Sequence, residues 1–327
     1  MAFAGITGIG ACLPEKILTN FDLEKMVETS DEWIRTRTGI KERRIADENT
    51  AASDLATEAA KRALEDAGLK PEDIDMIIVA TVTADMPFPA TACIVQKNIK
   101  AVNAAAFDLE AGCTGFIYSL SIATQFIENG TYKNILVIAS DTLTKITDFK
   151  DRNTCILFGD GAGAIVVSRV EEKGILSNFL KSNGNGGDLL YIPAGGSRKP
   201  TTIETVRKKQ HYIQMNGSEV FKFAVKVMGE AAESALKMAN VSLEDVKMLI
   251  PHQANQRIID AAARRLNISR DKVYINLDKY GNMSSATVPI ALEEAVKMGK
   301  IKKGDIIVLV AFGAGLTWGA NVIKWIK

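Results

Sequence analysis

Cys113 sits in Phe107-Asp-Leu-Glu-Ala-Gly-Cys-Thr-Gly-Phe116, where an apolar run gives way to small residues and an amphipathic helix begins. That is the layout of a nucleophile on a strand-to-helix elbow. A thiol at a helix N-terminus feels the positive end of the macrodipole and free N–H groups. Both favour the thiolate, the reactive form. A lone cysteine in such a place more often just packs, so other residues must support the assignment. The chain has two histidines. His211 lies in the polar stretch Lys208-Lys-Gln-His211 and reads as a surface residue. His252 directly follows Met248-Leu-Ile-Pro251, the end of a buried strand. Asn282, in Tyr280-Gly-Asn-Met-Ser-Ser285, can cap a helix or turn. It can also donate an amide N–H without titrating. Phe312-Gly-Ala-Gly-Leu-Thr-Trp-Gly319 is a glycine-rich bend after an apolar strand. Its backbone amides, with that of Cys113, could hold an oxyanion, the Ala314 N–H being the candidate in the bend.

These residues stand at matched places in a repeated pattern. Ala67-Gly-Leu-Lys-Pro-Glu-Asp-Ile-Asp-Met-Ile-Ile-Val-Ala80 overlays Ala239-Asn-Val-Ser-Leu-Glu-Asp-Val-Lys-Met-Leu-Ile-Pro-His252. Residues 111–130 overlay 281–299, which sets Cys113 on Asn282. Each block is followed by a β-rich run, Asn134–Ala139 and Asp305–Val310. Self-similarity at this long period predicts two duplicated halves packed as one body, 1–172 with the cysteine and 173–327 with the histidine and asparagine. Strands alternating with helical patterns predict an α/β fold with buried, largely parallel strands. Strands are expected at 5–11, 75–82, 104–109, 134–140, 164–170, 175–180, 247–250, 305–312 and 320–325. Helices are expected at 51–67, 115–129, 218–239, 255–266 and 285–298.

Composition narrows the class. A chain of 327 residues that is 47% hydrophobic can bury one large core or two fused ones. A net charge of +1 argues against a general nucleic-acid binder. Cys12, Cys93, Cys113 and Cys155 lie far apart with no CxxC pair. No metal site or disulfide framework is expected, and a reducing cytoplasm is the default. The start, Met1-Ala-Phe-Ala-Gly-Ile-Thr-Gly, reads as a first strand rather than a leader. The uncharged stretch 306–323 has near-spanning length but three glycines, so it reads as strand–turn–strand and no membrane segment is expected. Asn183-Gly-Asn-Gly-Gly187 lacks the Lys-Ser/Thr of a phosphate loop.

Taken together, Gly112-Cys-Thr-Gly115, Phe158-Gly-Asp-Gly-Ala-Gly163, Pro251-His-Gln-Ala-Asn-Gln-Arg257, Tyr280-Gly-Asn282 and Phe312-Gly-Ala-Gly315 resemble the β-ketoacyl-[acyl-carrier-protein] synthase III family of the thiolase superfamily. Thr29-Ser-Asp-Glu-Trp-Ile-Arg-Thr-Arg-Thr-Gly39 extends the likeness toward the start. The resemblance implies a thiolase-like five-layer αβαβα fold, a homodimer and a Cys113–His252–Asn282 triad. It implies condensation of acetyl-CoA, or another short acyl-CoA, with malonyl-acyl-carrier protein, and no cofactor. Elongating relatives use a second histidine, and thiolases a second cysteine in the glycine bend; neither is present here. Ala314 departs from the third glycine many relatives carry. By the same resemblance Trp33 and Arg152 grip the adenine of CoA, and Arg37 and Thr29 its adenosine or phosphate end. Gly217 and Asn255 line the pantetheine tunnel, and Phe88 floors a partner's acyl pocket. Acyl carrier protein is acidic. Its docking face is expected on Arg257, Arg264 and Arg265, with Lys222 and Gln253 beside them. A priming enzyme of polyketide or quinolone-type synthesis is the nearest rival. A papain-like cysteine hydrolase would also use Cys, His and Asn, but the duplicated pattern and the glycine bend argue against it.

Overall fold

The structure, a computed structural model, is described over residues 2–327. Two mixed sheets carry the chain. The first contains β1 (Phe3–Cys12), β2 (Met76–Ala80), β3 (Ala105–Leu109), β4 (Asn134–Thr142) and β5 (Asp160–Val170), in the order β1-β5-β4-β2-β3. The second contains β6 (Ile175–Ser182), β7 (Val246–Pro251), β8 (Ile306–Gly313) and β9 (Thr317–Lys324), in the order β6-β9-β8-β7. An isolated parallel bridge between Leu249 and Val273 stands where β3 stands in the first sheet. The two sheets therefore repeat one topology, and the chain passes from one to the other between Val170 and Ile175. The expectation of largely parallel strands is corrected. Only the pairs β2–β3, β2–β4 and β7–β8 are parallel; β1–β5, β4–β5, β8–β9 and β6–β9 are antiparallel. Direct hairpin returns, such as the turn joining β8 to β9, reverse the chain without a helical crossover.

The longer helices among the described residues are α1 (Asp31–Thr38), which packs against α6, and six that cover the sheets: α2 (Ala52–Ala67), α3 (Thr91–Ile99), α4 (Gly115–Glu128), α5 (Gly217–Ala239), α6 (Gln256–Arg265) and α7 (Thr287–Lys297). α2 and α3 pack on the outer face of the first sheet, and α5 and α6 on the outer face of the second. α4 and α7 lie between the sheets, which gives five αβαβα layers. Strand alternation builds these layers. In β2, Met76, Ile78 and Ala80 enter the central core while Ile77 and Val79 enter the outer one. α4 is apolar enough to be buried between two sheets, with Phe116, Ile117 and Leu120 in the central core. The uncharged 306–323 stretch is the β8–β9 hairpin, and no helix among the described residues is long and apolar enough to cross a membrane.

The repeat also corrects the overlay of the two elbows. Gly112 and Ser284 both take positive φ, +54° and +51°, and each opens a single 3₁₀ turn before its helix. Cys113 is thus the counterpart of Ser285, and Asn282 lies three residues upstream. Small-residue similarity alone could not fix that register.

Candidate active site

The elbow at Cys113 depends on close approach. Gly112 is left-handed, and a Cβ there would fall 2.8 Å from the Ala314 nitrogen. A Cβ on Gly313 would fall 2.4 Å from the Cys113 nitrogen. The glycine bend therefore lies directly on the nucleophile's backbone. Thr317 fixes it there. Its hydroxyl lies 2.9 Å from both the Ala111 and the Ala314 carbonyl oxygens and 2.5 Å from the Thr114 hydroxyl. The Ala314 N–H has no backbone acceptor among the described residues.

His252 extends β7, its N–H donating to the Val310 carbonyl at 2.8 Å. The ring is 1% exposed, edge-on to Phe312, with Nδ1 2.6 Å from Thr287 Oγ1. Asn282 is tied to the other half: its N–H donates to Leu157 O and its carbonyl accepts from Gly159 N–H, both at 2.9 Å. Gly281 makes this possible with φ +67°, since a Cβ there would fall 2.9 Å from Leu157 O. The Asn282 side-chain oxygen accepts the Ser284 N–H at 2.9 Å, which leaves the NH₂ group uncommitted.

Two cavities meet at Cys113. One, of about 680 Å³, is apolar and lined by Val82, Leu109, Leu143, Ile146, Ile192 and Ile213 with Ala314 beside the sulfur. The other, of about 530 Å³, is a tunnel. His252, Asn282 and Gly313 line its buried end, Gly217 and Asn255 its wall, and Trp33, Arg37, Lys222 and Arg257 its exposed end. The Arg152 guanidinium lies over the Trp33 ring at 5.0 Å and that of Arg37 at 5.8 Å. Asn255 caps α6 and donates to Arg37 O at 3.0 Å, joining tunnel wall to tunnel mouth. Thr29 is near this end but does not line the tunnel, and its buried hydroxyl has no partner among the described residues. Phe88 is 82% exposed and lines neither cavity of its own chain.

Two expectations are corrected. Gln253 is not on a docking face. It is 1% exposed, its amide donates to Pro251 O and Tyr274 O, and its oxygen accepts the Asn276 N–H. Arg257, Arg264 and Arg265 are exposed on α6, although the Arg257 head lies over the Phe221 ring. The second correction concerns the thiol. Burial pushes Cys113 up to about 12, with Asp141 and Glu110 adding to the rise; the Ser284 hydroxyl and the residue's own N–H pull the other way. A helix terminus contributes at most about 2 kcal/mol, and it is opposed by desolvation of a half-buried sulfur, the largest of the effects on this thiol. On this balance desolvation outweighs the helix start and favours the thiol over the thiolate in the free enzyme. Burial also pushes His252 down to about 3, so its ring is neutral. His211 is half-buried against Tyr212 and lines neither cavity.

Some residues of the site escaped the sequence reading. Asp141, buried beside the nucleophile, accepts from Val82 N–H and the Thr81 and Thr83 hydroxyls, and burial lifts it to about 6. The Ser284 hydroxyl lies against Cys113 and Asp141 without a well-formed hydrogen bond to either. The elbow repeat takes in Ser284, but nothing in the sequence pointed to Asp141.

Two duplicated α/β halves, a cysteine elbow and a neutral imidazole and amide at the end of one tunnel define a thiolase-like condensing acyltransferase. Residues 107–184 match the family described as 3-oxoacyl-[acyl-carrier-protein] synthase III, and residues 236–325 match that family's C-terminal part. The chain belongs to the 3-oxoacyl-[acyl-carrier-protein] synthase III family. It is 68% identical to the β-ketoacyl-[acyl-carrier-protein] synthase III of Caldanaerobacter subterraneus, over 99% of this chain and 98% of that one. The protein of that name from Clostridioides difficile is 57% identical over 98% of each chain. A crystal structure of 3-oxoacyl-[acyl-carrier-protein] synthase III from Aquifex aeolicus superposes with a TM-score of 0.92 at 50% identity, covering 98% of this chain and 100% of that one. The priming β-ketosynthase of the R1128 polyketide pathway superposes at 0.93 with 34% identity, covering 99% and 97%.

Proposed function

We propose that this enzyme condenses a short acyl-CoA, acetyl-CoA first among them, with malonyl-acyl-carrier protein, releasing CoA and carbon dioxide and starting type II fatty acid synthesis. The observation that carries this is the place of Cys113. It stands where an apolar cavity fit for an acyl chain meets a tunnel with cations at its mouth.

Cys113 sulfur attacks the acyl-CoA carbonyl. The new C–S bond forms as the CoA sulfur leaves, and the thiol proton goes out with CoA. The N–H groups of Cys113 and Ala314 hold the tetrahedral oxyanion, each donor contributing about 3 kcal/mol. The malonyl thioester then enters. His252 and Asn282 donate to its carbonyl oxygen while the carboxylate leaves as carbon dioxide. The resulting enolate carbon attacks the acyl-cysteine, and the released thiolate takes up a proton. No bound cofactor enters these steps.

Trp33 and Arg152 grip adenine as a flat ring and a guanidinium plane. Arg37 and Thr29 serve the phosphate or ribose end, and Gly217 and Asn255 border the pantetheine arm. Arg257, Arg264, Arg265 and Lys222 receive the acidic carrier. The molecule works as a homodimer, in which the partner's Phe88 closes the apolar cavity, and in the cytoplasm, where four free thiols stay reduced. The homologous halves divide at residues 172 and 173.

Mass spectrometry of products from several acyl-CoA primers and malonyl-carrier protein tests the reading. A 3-oxoacyl-carrier protein is expected, and hydrolysed primer alone overturns it. Under the same conditions His252→Ala and Asn282→Ala should lose release of carbon dioxide ~100-fold or more, one donor's usual share, while Cys113 is still acylated. Complete loss of acylation in both variants would refute this division of roles.

A further inference from the structure

His252 is neutral and carries one ring proton. The nitrogen that holds it is decided behind the ring. Nδ1 lies 2.6 Å from Thr287 Oγ1, and both residues are buried. Thr287 opens α7, a short step past Asn282. Its oxygen accepts the Gln253 N–H at 3.3 Å. The Ser284 carbonyl lies 3.0 Å from the same oxygen, but it already receives the Thr287 backbone N–H at the helix start. The Ser284 oxygen and Nδ1 compete for the one hydroxyl proton, and the Nδ1 contact at 2.6 Å is the shorter of the two. Nε2 has no hydrogen-bond partner among the described residues, and the ring lines the tunnel beside Cys113 and Asn282. Asn282 shows the same device. Its oxygen is engaged by Ser284 N–H, and its amide donors stay free.

We propose that Thr287 is a positioning residue, whose hydroxyl donates to Nδ1 of His252 and holds the imidazole as the Nε2–H tautomer. The ring and the Asn282 amide then present paired donors to one carbonyl oxygen. This rests on the reading of His252 and Asn282 as donors. Reversing the bond, with Nδ1–H donating to Thr287 and Thr287 to Ser284 O, would turn a lone pair toward the tunnel. The ring would then be a base rather than a donor. One hydroxyl thus separates two different chemistries.

Nitrogen-15 NMR of histidine-labelled enzyme in a His211→Gln background reads the tautomer directly. A protonated Nε2 and a bare Nδ1 are expected. Thr287→Val keeps shape and removes the hydroxyl. It should lower carbon dioxide release from malonyl-carrier protein by ~10–100-fold, the usual effect of losing a partner that orients a histidine. Acylation of Cys113 by acetyl-CoA should change less than threefold, and Thr287→Ser should restore both the nitrogen spectrum and carbon dioxide release. A protonated Nδ1 in the parent enzyme overturns the proposal. So does wild-type carbon dioxide release in Thr287→Val, or equal loss of both half-reactions without rescue by serine. If the parent enzyme released no carbon dioxide from malonyl thioesters, the functional reading would fall, and the nitrogen spectrum would still decide the tautomer.

Discussion

At Cys113 two local effects oppose each other, and burial decides between them. The thiol sits at a helix start, yet desolvation raises it to about 12. Nucleophilicity should therefore appear only as the sulfur is deprotonated in the course of attack. Alkylation of the free enzyme by iodoacetamide is expected to climb with pH across the whole range from about 6 to 9, about tenfold per unit. The sign follows from a raised pKa, since the thiolate fraction still grows at the top of that range. A plateau near neutrality would show that the helix terminus dominates. The convergence of Cys113, His252 and Asn282 on one tunnel was legible because each type stood at a strand-to-helix junction. Gln253 was misread because its neighbour His252 opens on the tunnel, while its own amide turns inward to Pro251, Tyr274 and Asn276. The thiol's protonation was not legible either. It depends on what covers the sulfur, and those residues come from distant segments.

Among the elements, those with a long apolar stripe or an alternating strand pattern were readable, and those with a short stripe or none were not. α1 buries only Ile34 and Thr38, so its helical period leaves no apolar stripe. Its legible mark is the cap: Ser30 accepts the Trp33 N–H, and Asp31 and Glu32 fill the first turn. α3 is short, with buried Thr91, Ala92, Val95 and Ile99, and was missed as well. The glycine bend was legible as a bend, but not the threonine that holds it. Thr317→Val should loosen the bend from the elbow. The expected cost is about 1 kcal/mol of stability for each hydrogen bond lost, with acylation of Cys113 slowed ~10-fold or more because the oxyanion donors shift. Thermal unfolding and single-turnover acylation measure these two effects separately. Unchanged acylation would show that Ala314 is held without Thr317.

For the whole molecule, net charge is nearly zero, so attraction to an acidic carrier must be local. The proposed source is the exposed arginines of α6, of which Arg257 lines the tunnel mouth. Arg257→Glu should raise KM for malonyl-carrier protein ~10-fold or more while leaving KM for acetyl-CoA within about threefold, because rim charges steer a macromolecular partner. Added salt should weaken the carrier reaction of the parent enzyme. Equal losses with both substrates, or no salt dependence, would mark α6 as an ordinary solvated helix. The two cavities joined at one sulfur carry a consequence for traffic. If, as proposed, the apolar side stores the acyl chain, the thiol-bearing arms of both substrates share the other cavity. CoA on its way out and carrier on its way in compete for one doorway. On that reading, free CoA that accumulates should hold back the loaded enzyme and slow the first step of chain building through occupancy of the tunnel.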